Sequence, residues 1–496
     1  MQLETFTEIM DQNGLDNKGF EKGYENGMEK TPSILTLQNN DNNFDTSSRL
    51  KLTKDSFPEK NGKKYPSKEE SYDPFSNRDK SHATSSMGAF VHMVKSSLGT
   101  GILAMPGAFK NGGLIFGVIG TLLTGLICTH CVHMMVYCSQ ILSIRVKRPT
   151  LSFAETAEVS FQTGPPKYRF LASFAREMIN VTLFCTYFFG NTVYIIFIAR
   201  TFEQVIEGHA HFGWDVRVYI VLLAFVLVPL GIIRTLKYLV PFSAIATAFI
   251  SFGLALTLYY TFSEMPSDVS NRDFIGTPLK IPLFFSTVLF AMEGIGTVLP
   301  IENSMNKPQQ FLGCPGVLNG AMSIVVILYV VVGFFGYLRF GNATQATVTL
   351  NLPDSALAES VKILVALSVL LTYGLQFTVP SEIVWKRLGP RVSEDKQDMG
   401  YYIMRGSMII GTVIVAIMLP SLAPIISLVG AICFSILGLF CPAVIEIITF
   451  WEEGYGKYQW KFYKNVFLIF LSIFSLVSGS YASILEILDA IKHGEL

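Results

Sequence analysis

The sequence predicts an all-α membrane protein: eleven transmembrane helices in a five-plus-five inverted repeat with helices 1 and 6 unwound, plus one extra helix. Three observations lead there. Half of the 496 residues are apolar and only 15% are charged, with a mean hydropathy of +0.42, a composition of membrane proteins rather than soluble globules. Apolar stretches near the ~20 residues that a helix needs to cross the hydrocarbon recur from Gly88 onward, separated by short polar loops. Two of them, five spans apart, carry the same helix-breaking punctuation.

Residues 1–84 come first. They hold 27 of the chain's 76 Lys, Arg, Asp and Glu residues and no sustained apolar period, so they cannot bury enough surface to offset the entropy of ordering. They are expected to form a disordered cytosolic tail, with residues 85–496 forming the eleven-helix domain. No signal peptide opens the sequence, because the first apolar stretch long enough for one begins near Met87, and the first span is expected to direct insertion. Within the tail, Tyr72-Asp73-Pro74-Phe75 resembles a tyrosine sorting signal. Sorting adaptors or nutrient-signalling partners are expected on the amino-terminal tail.

The spans are expected at about 88–109, 114–138, 170–202, 217–233, 239–261, 281–300, 317–339, 360–379, 401–420, 424–450 and 465–488. Backbone polar groups in hydrocarbon need internal partners, and ten-residue strand alternation is absent, so these are helices. With the amino terminus inside, inner loops hold fifteen Lys and Arg against seven outside, which favours that orientation and puts the carboxyl terminus on the outer or lumenal side. Of two glycosylation sequons, Asn180 falls within the third span, and only Asn342, after the seventh, is reachable. The neutral body carries no basic stripe, which excludes nucleic acid as a partner. Cys128, His130, Cys131 and His133 have a spacing that suggests zinc but lack a second ligand pair, and no metal or other cofactor is expected. No outside cysteine pair offers a disulfide framework.

The paired breaks carry the chemistry. In the first span, SSLGTGILAMP places Gly99, Thr100 and Gly101 before Pro106; in the sixth, EGIGTVLP places Gly294, Ile295 and Gly296 before Pro300. Glycine tolerates unwound backbone and close ligand approach, and proline removes a donor from the ladder. Amides bared at half-helix amino ends suit a carboxylate, and freed carbonyls suit an ammonium. A zwitterion needs both, and discontinuous helices of inverted-repeat transporters meet near mid-bilayer for this purpose. The bland alternative is that the glycines only allow close packing. Ser97, Gly99, Thr100, Gly101, Glu293, Gly294 and Gly296 are the resulting substrate-site candidates, with Tyr187, Asn191, Tyr373 and Gln376 as further pocket residues.

Ionisable groups inside spans are costly and mark function. His92 shares a helix face with Ser96 and Gly99, and an imidazole ordinarily changes charge near pH ~6.5. Glu293 sits directly before the second break. Both are candidates for proton coupling; the alternatives are a structurally bonded His92 and a Glu293 that only pairs with Lys95. Arg176 and Glu177, opening the third span, form either a gate or an interfacial pair, and Glu446 is expected to be structural.

At these residues the sequence resembles the proton-coupled amino acid transporters of the amino acid/auxin permease group, the solute carrier family 36 type. The stretches that carry it are VHMVKSSLGTGILAMPGAFKNGG (91–113), IIRTLKYLVPFSAIA (232–246), FAMEGIGTVLPIENSM (290–305), GYLRFG and TLNLP (336–341, 349–353), TYGLQFTVPSEI (372–383) and ISLVGAICFSILGLFCPAVIEIITF (426–450). They extend over nearly all of the chain after residue 88. The resemblance implies a fold similar to the bacterial leucine transporter, symport of a proton with small neutral amino acids such as glycine, alanine or proline, and a coupling role for His92. The expected location is the plasma membrane or the late endosomal and lysosomal membrane, and the tyrosine signal in the tail would favour the latter. The missing outer cysteine pair departs from better-known members. Two other readings use the same pocket: a proton-independent uniporter or exchanger, and an amino acid sensor that signals through the tail. No GxxxxGK[ST] phosphate loop and no nucleophile–base constellation points to a pump or an enzyme.

Overall fold

The computed structural model describes residues 72–78, 83–210, 212–233, 236–263, 272–292 and 294–493. Among them every regular element is a helix. Nine are long and apolar enough to cross a membrane, and they coincide with nine of the expected spans. The other two expected spans are present in altered form. The fourth is Val216–Ile232, 17 residues long, and the first is split into Ser86–Ser97 and Gly101–Gly112. The sixth is also split, into Ile281–Ala291 and Ile295–Asn303, so the breaks fall five spans apart as the repeat requires.

Local sequence explains the turns. Between the first and second spans Gly113 has φ 86°, a value that side chains rarely adopt, and any Cβ there would run into the Phe274–Ile275 backbone. The start of the second span is tied to the segment before the sixth, with Leu114 N–H donating to Asp273 O at 2.9 Å and Gly276 N–H to Gly112 O at 2.6 Å. The second span, Leu114–Val146, ends on Lys147 in the left-handed conformation. A short helix, Phe153–Thr163, opens with a capping box of Ser152 and Glu155. The third span runs to Ala210 as one continuous helix, longer than the expected 170–202.

Small residues let the spans approach. The tenth consists of Leu422–Val429, a π-helical stretch Gly430–Phe440 and Cys441–Thr449, and Gly430 lies directly on the Ser286 carbonyl of the sixth. The eleventh, Trp460–Lys492, turns Ser472, Ser475, Gly479 and Ser483 inward; Ser472 donates to Ser435 O at 2.8 Å, and Ser435 meets Ser475 at 3.0 Å. Large apolar side chains such as Leu126, Phe225, Phe470 and Val477 are exposed on the outer surface, where a bilayer would cover them.

The chain order gives the bundle two faces. Residues 72–78 and 83–84 lie at the start of the first span, on what is called here the tail face. Lys110, at the other end of that span, donates to Thr344 O at 2.9 Å, which puts the exposed Asn342 on the far face. Part of the stretch expected as tail is in contact with the body: Thr84 N–H donates to Ser304 O at 2.8 Å, and Arg78 pairs with Glu302. Among the described residues no three His, Cys, Asp or Glu side chains gather as a metal site, and all seven cysteines are free thiols.

The glycine contacts make a paired test. Gly430→Ala, with no room beside Ser286, should cost about 1–3 kcal/mol and lower the melting temperature in detergent. Gly406→Ala, which has nothing within 4 Å, should leave it unchanged or raise it by up to about 1 kcal/mol of helix propensity.

Candidate substrate site between two broken helices

The first break begins where the helix stops at Ser97. Leu98 N–H still reaches Val94 O at 2.9 Å, and the backbone then turns through Gly99 and Thr100 before a new helix starts at Gly101. The second begins after Ala291 and restarts at Ile295, with Gly294 at its amino end. Ser97, Gly101, Gly294 and Gly296 draw these two regions together. A Cβ on Gly101 would sit 2.5 Å from Ala291 Cα, one on Gly294 would sit 2.7 Å from Ser97 Oγ, and one on Gly296 would meet the Tyr187 hydroxyl at 2.7 Å. Glycine is required at Gly101 because the neighbour is rigid backbone.

The fully buried Tyr329 of the seventh span joins the breaks. Its hydroxyl lies against the carbonyl oxygens of both Ser97 and Ala291, the latter at 2.6 Å. Both carbonyls belong to last turns, where the helical ladder supplies no donor. One phenol proton is therefore shared between two freed acceptors. Nearby, the Thr100 hydroxyl and Asn191 Oδ1 are buried without a partner among the described residues, while Asn191 Nδ2 donates to Tyr187 O at 2.7 Å.

Beside the breaks lies a small cavity lined by Met93, Ser97, Cys128, Met292, Gly294 and Phe434, among others, with room for a single water. It is too small for an amino acid in this state. A wider cavity of about 450 Å³ opens on the far face between Arg200, Leu350, Leu422, Glu486 and Asp489. On the tail face Arg78 pairs with Glu302 and Arg387 with Glu177.

The expected residues divide in three. Ser97, Gly99, Thr100, Gly101, Gly294 and Gly296 are in the breaks, Tyr187 touches Gly296, and Asn191 bonds the Tyr187 backbone one turn along the third span. Gln376 Nε2 reaches the Tyr194 hydroxyl at 3.4 Å, and Tyr373 turns to the ninth span, where its hydroxyl meets Thr412 at 3.3 Å. Glu293 lies outside the described residues. His92 is half-buried on the first helix, and Lys95 Nζ donates to Ser243 Oγ of the fifth span at 3.0 Å. Arg176 and Glu177 do not pair with each other: Arg176 meets Glu158 at 3.1 Å, and Glu177 meets Arg387. Glu446 holds the tenth span to the eleventh through Lys464 and Asn465, both at 2.7 Å.

Three features went unforeseen. Tyr329 was legible as one hydroxyl in the aliphatic run SIVVILYVVVGFF, where a polar group must find a partner. The cavity wall of Met93, Cys128 and Phe434 gave no signal distinct from core packing. Arg405, fully buried in the ninth span, donates to the Tyr401 hydroxyl at 2.7 Å and packs over the Phe377 ring, although an intramembrane arginine was itself a signal.

Residues 82–485 match the family model described as transmembrane amino acid transporter protein. The chain belongs to this family. It is 41% identical over 425 residues to the proton-coupled amino acid transporter-like protein pathetic of Drosophila melanogaster, covering 86% of this chain and 90% of that one. It is 25% identical to the probable amino acid transporter skat-1 of Caenorhabditis elegans, covering 81% and 90%. Among solved structures it is similar to a Na+-coupled sialic acid symporter, with TM-score 0.46, 12% identity and coverage of 81% and 90%. MHP1, a nucleobase-cation-symport-1 family transporter, gives the same score and identity, with coverage of 85% and 95%. The chain is thus a multi-pass membrane protein of an amino acid transporter family, not of an enzyme family.

In this transporter, Tyr329→Phe strands two buried acceptors at about 1–3 kcal/mol and should lower initial amino acid uptake roughly tenfold or more at equal surface expression. Tyr337→Phe serves as control. Its hydroxyl accepts from Asp273 N–H near the far face, away from the breaks, and uptake should stay within about twofold of wild type.

Proposed function

We propose that the protein is a secondary active transporter that carries small neutral amino acids together with a proton by alternating access about the two breaks. The observation that supports this reading most is the contact of the breaks at Gly101, Ala291, Ser97 and Gly294. The substrate carboxylate rests at the bared amides that open the Gly101 helix, beside the Thr100 hydroxyl, where partial positive charge favours an anion. The ammonium takes the Ser97 and Ala291 carbonyls now sharing the Tyr329 proton. The apolar wall of Met93, Met292 and Phe434 receives the side chain.

Substrate enters from the far face through the wide cavity, and the pairs on the tail face release on the other half of the cycle. Protonation of His92 or Glu293 biases the bundle between the two states. The name of the Drosophila relative supports proton coupling. The tail is cytosolic, the carboxyl terminus is extracellular or lumenal, and Asn342 on the far face is glycosylated. The protein resides in the plasma membrane or the late endosomal and lysosomal membrane. One pH unit supplies about 1.4 kcal/mol per proton and 100 mV a further 2.3 kcal/mol or so, enough for a concentration ratio of several hundred.

Uptake of labelled alanine, glycine and proline at outside pH 5.5 and 7.5 tests the coupling. Wild type should take up all three faster at pH 5.5, with inward current and sensitivity to a protonophore, and His92→Ala should lose the acid stimulation. Uptake independent of pH and protonophore would refute proton symport in favour of exchange. The orientation is checked separately: Asn342→Gln should abolish a mobility shift on glycosidase treatment, and retention of the shift would contradict that assignment.

A further inference from the structure

On the tail face, a charged pair is buried far more deeply than surface ion pairs are. Glu302, at the end of the sixth span, is fully buried, and Arg78 is 8% exposed. The guanidinium donates to Glu302 Oε2 at 3.2 Å, to Glu302 O at 3.0 Å and, through Nε, to Pro149 O at 3.0 Å. Gln140 of the second span completes the carboxylate at 2.8 Å. Arg78 thus binds one segment to the sixth span and to the loop after the second span, while Gln140 ties Glu302 to the second span itself. Loss of either partner would leave the other charge buried and unpaired.

What Arg78 carries with it is Tyr72-Asp73-Pro74-Phe75. The guanidinium lies over the Phe75 ring, 5.1 Å from its centre, and Phe75 is 6% exposed. Phe75 N–H is taken by Asp73 Oδ1 at 2.9 Å, and Asp73 O accepts from Ser76 Oγ at 3.0 Å and Asn77 Nδ2 at 2.8 Å. These are the bonds of an Asx-stabilised turn. A protein that reads such a segment by strand addition needs free backbone N–H groups, an extended span of about 10 Å from the first residue to the fourth, and both aromatic side chains free for pockets. Here the chain turns from Pro74, the Phe75 N–H is already taken and the Phe75 ring is buried, so the segment lacks the extended backbone and the second free aromatic that such a reader needs.

The sixth span's second half, Ile295–Asn303, ends on Glu302 and therefore links the site to the tail. We propose that Arg78 and Glu302 form a latch that keeps Tyr72–Phe75 folded against the body, so that a protein recognising an extended tyrosine–aromatic segment reaches it only when the tail face opens. Partner access then reports the conformation of the transporter. This rests on the cytosolic placement of the tail proposed above, but the latch itself does not.

The test uses the full chain in cells, with the exposed Cys314 replaced by Ser. Phe75→Cys is labelled with a membrane-impermeant maleimide after permeabilisation, so that the rate is independent of orientation; intact cells then report the side. Glu302→Gln should speed labelling roughly tenfold or more, and the charge-reversed pair Arg78→Glu with Glu302→Arg should slow it again. Unchanged labelling in a monodisperse Glu302→Gln protein would overturn the latch, and Arg78→Gln provides the same test should Glu302→Gln fail to fold. With Phe75 intact, Glu302→Gln should shift the surface-to-internal ratio at least about twofold. Tyr72→Ala should cancel that shift while having little effect on its own. A Tyr72→Ala effect equal in both backgrounds, or absent from both, would overturn the gated recognition. Labelling of intact cells would refute the cytosolic tail while leaving the latch standing.

Discussion

The demand that every backbone polar group within a bilayer find a partner inside the protein governs this structure. An uninterrupted helix meets it without help. Two spans here do not, and each frees carbonyls at a last turn and amides at a first turn. The debt is settled by proximity: the breaks lie against each other at Gly101 and Ala291, and the Tyr329 hydroxyl serves acceptors from both. One phenol from the seventh span serves the pair. The groups that make the fold costly are also those that suit a zwitterion.

Small residues make that proximity possible. Gly101 and Gly294 remove side chains from the crossing, Gly430 brings the tenth span onto the Ser286 carbonyl, and Gly479 brings the eleventh to the Ser286 side chain. The sixth span is therefore surrounded closely along its first half, whereas its second half ends on the Arg78–Glu302 pair. The second half is held at its end by that pair, by Asn303 Nδ2 donating to Leu151 O at 3.1 Å and by Thr84 N–H donating to Ser304 O at 2.8 Å. The π-helical stretch of the tenth span lies beside this crossing, where wider backbone geometry relieves crowding.

The GxG-then-Pro punctuation was legible because glycine and proline act locally, through conformations and donors that the sequence states directly. Nine spans were legible for the same kind of reason, through length and apolarity. The fourth and first were legible as apolar stretches, but only coordinates reveal one as 17 residues and the other as two helices. Partnerships across the bundle were not legible. Lys95 bonds Ser243, 148 residues away, and Arg78 bonds Glu302, 224 residues away. Tyr373 shows the same limit: helical spacing placed it on the eighth span, but its rotation toward Thr412 depends on the fourth and ninth spans packed around it. Arg176 and Glu177 are neighbours in sequence, yet successive helix residues point apart, and each finds its partner elsewhere.

The distribution of charge bears on what the crossing can accept. Ion pairs with a buried member occur near the ends of spans, Arg78 with Glu302 and Lys464 with Glu446 on the tail face and the buried Lys362 with the exposed Asp354 on the far face. Among the described residues, the cavity beside the breaks is lined by Met93, Cys128, Val132, Met292, Met322 and Phe434 together with Ser97 and Gly294, with no Lys, Arg, His, Asp or Glu. Carbonyls and amides can divide a zwitterion between them, because each supplies partial charge of one sign. They cannot supply a full counter-charge to a third ionised group, and an unpaired charge buried against methionine and phenylalanine is costly.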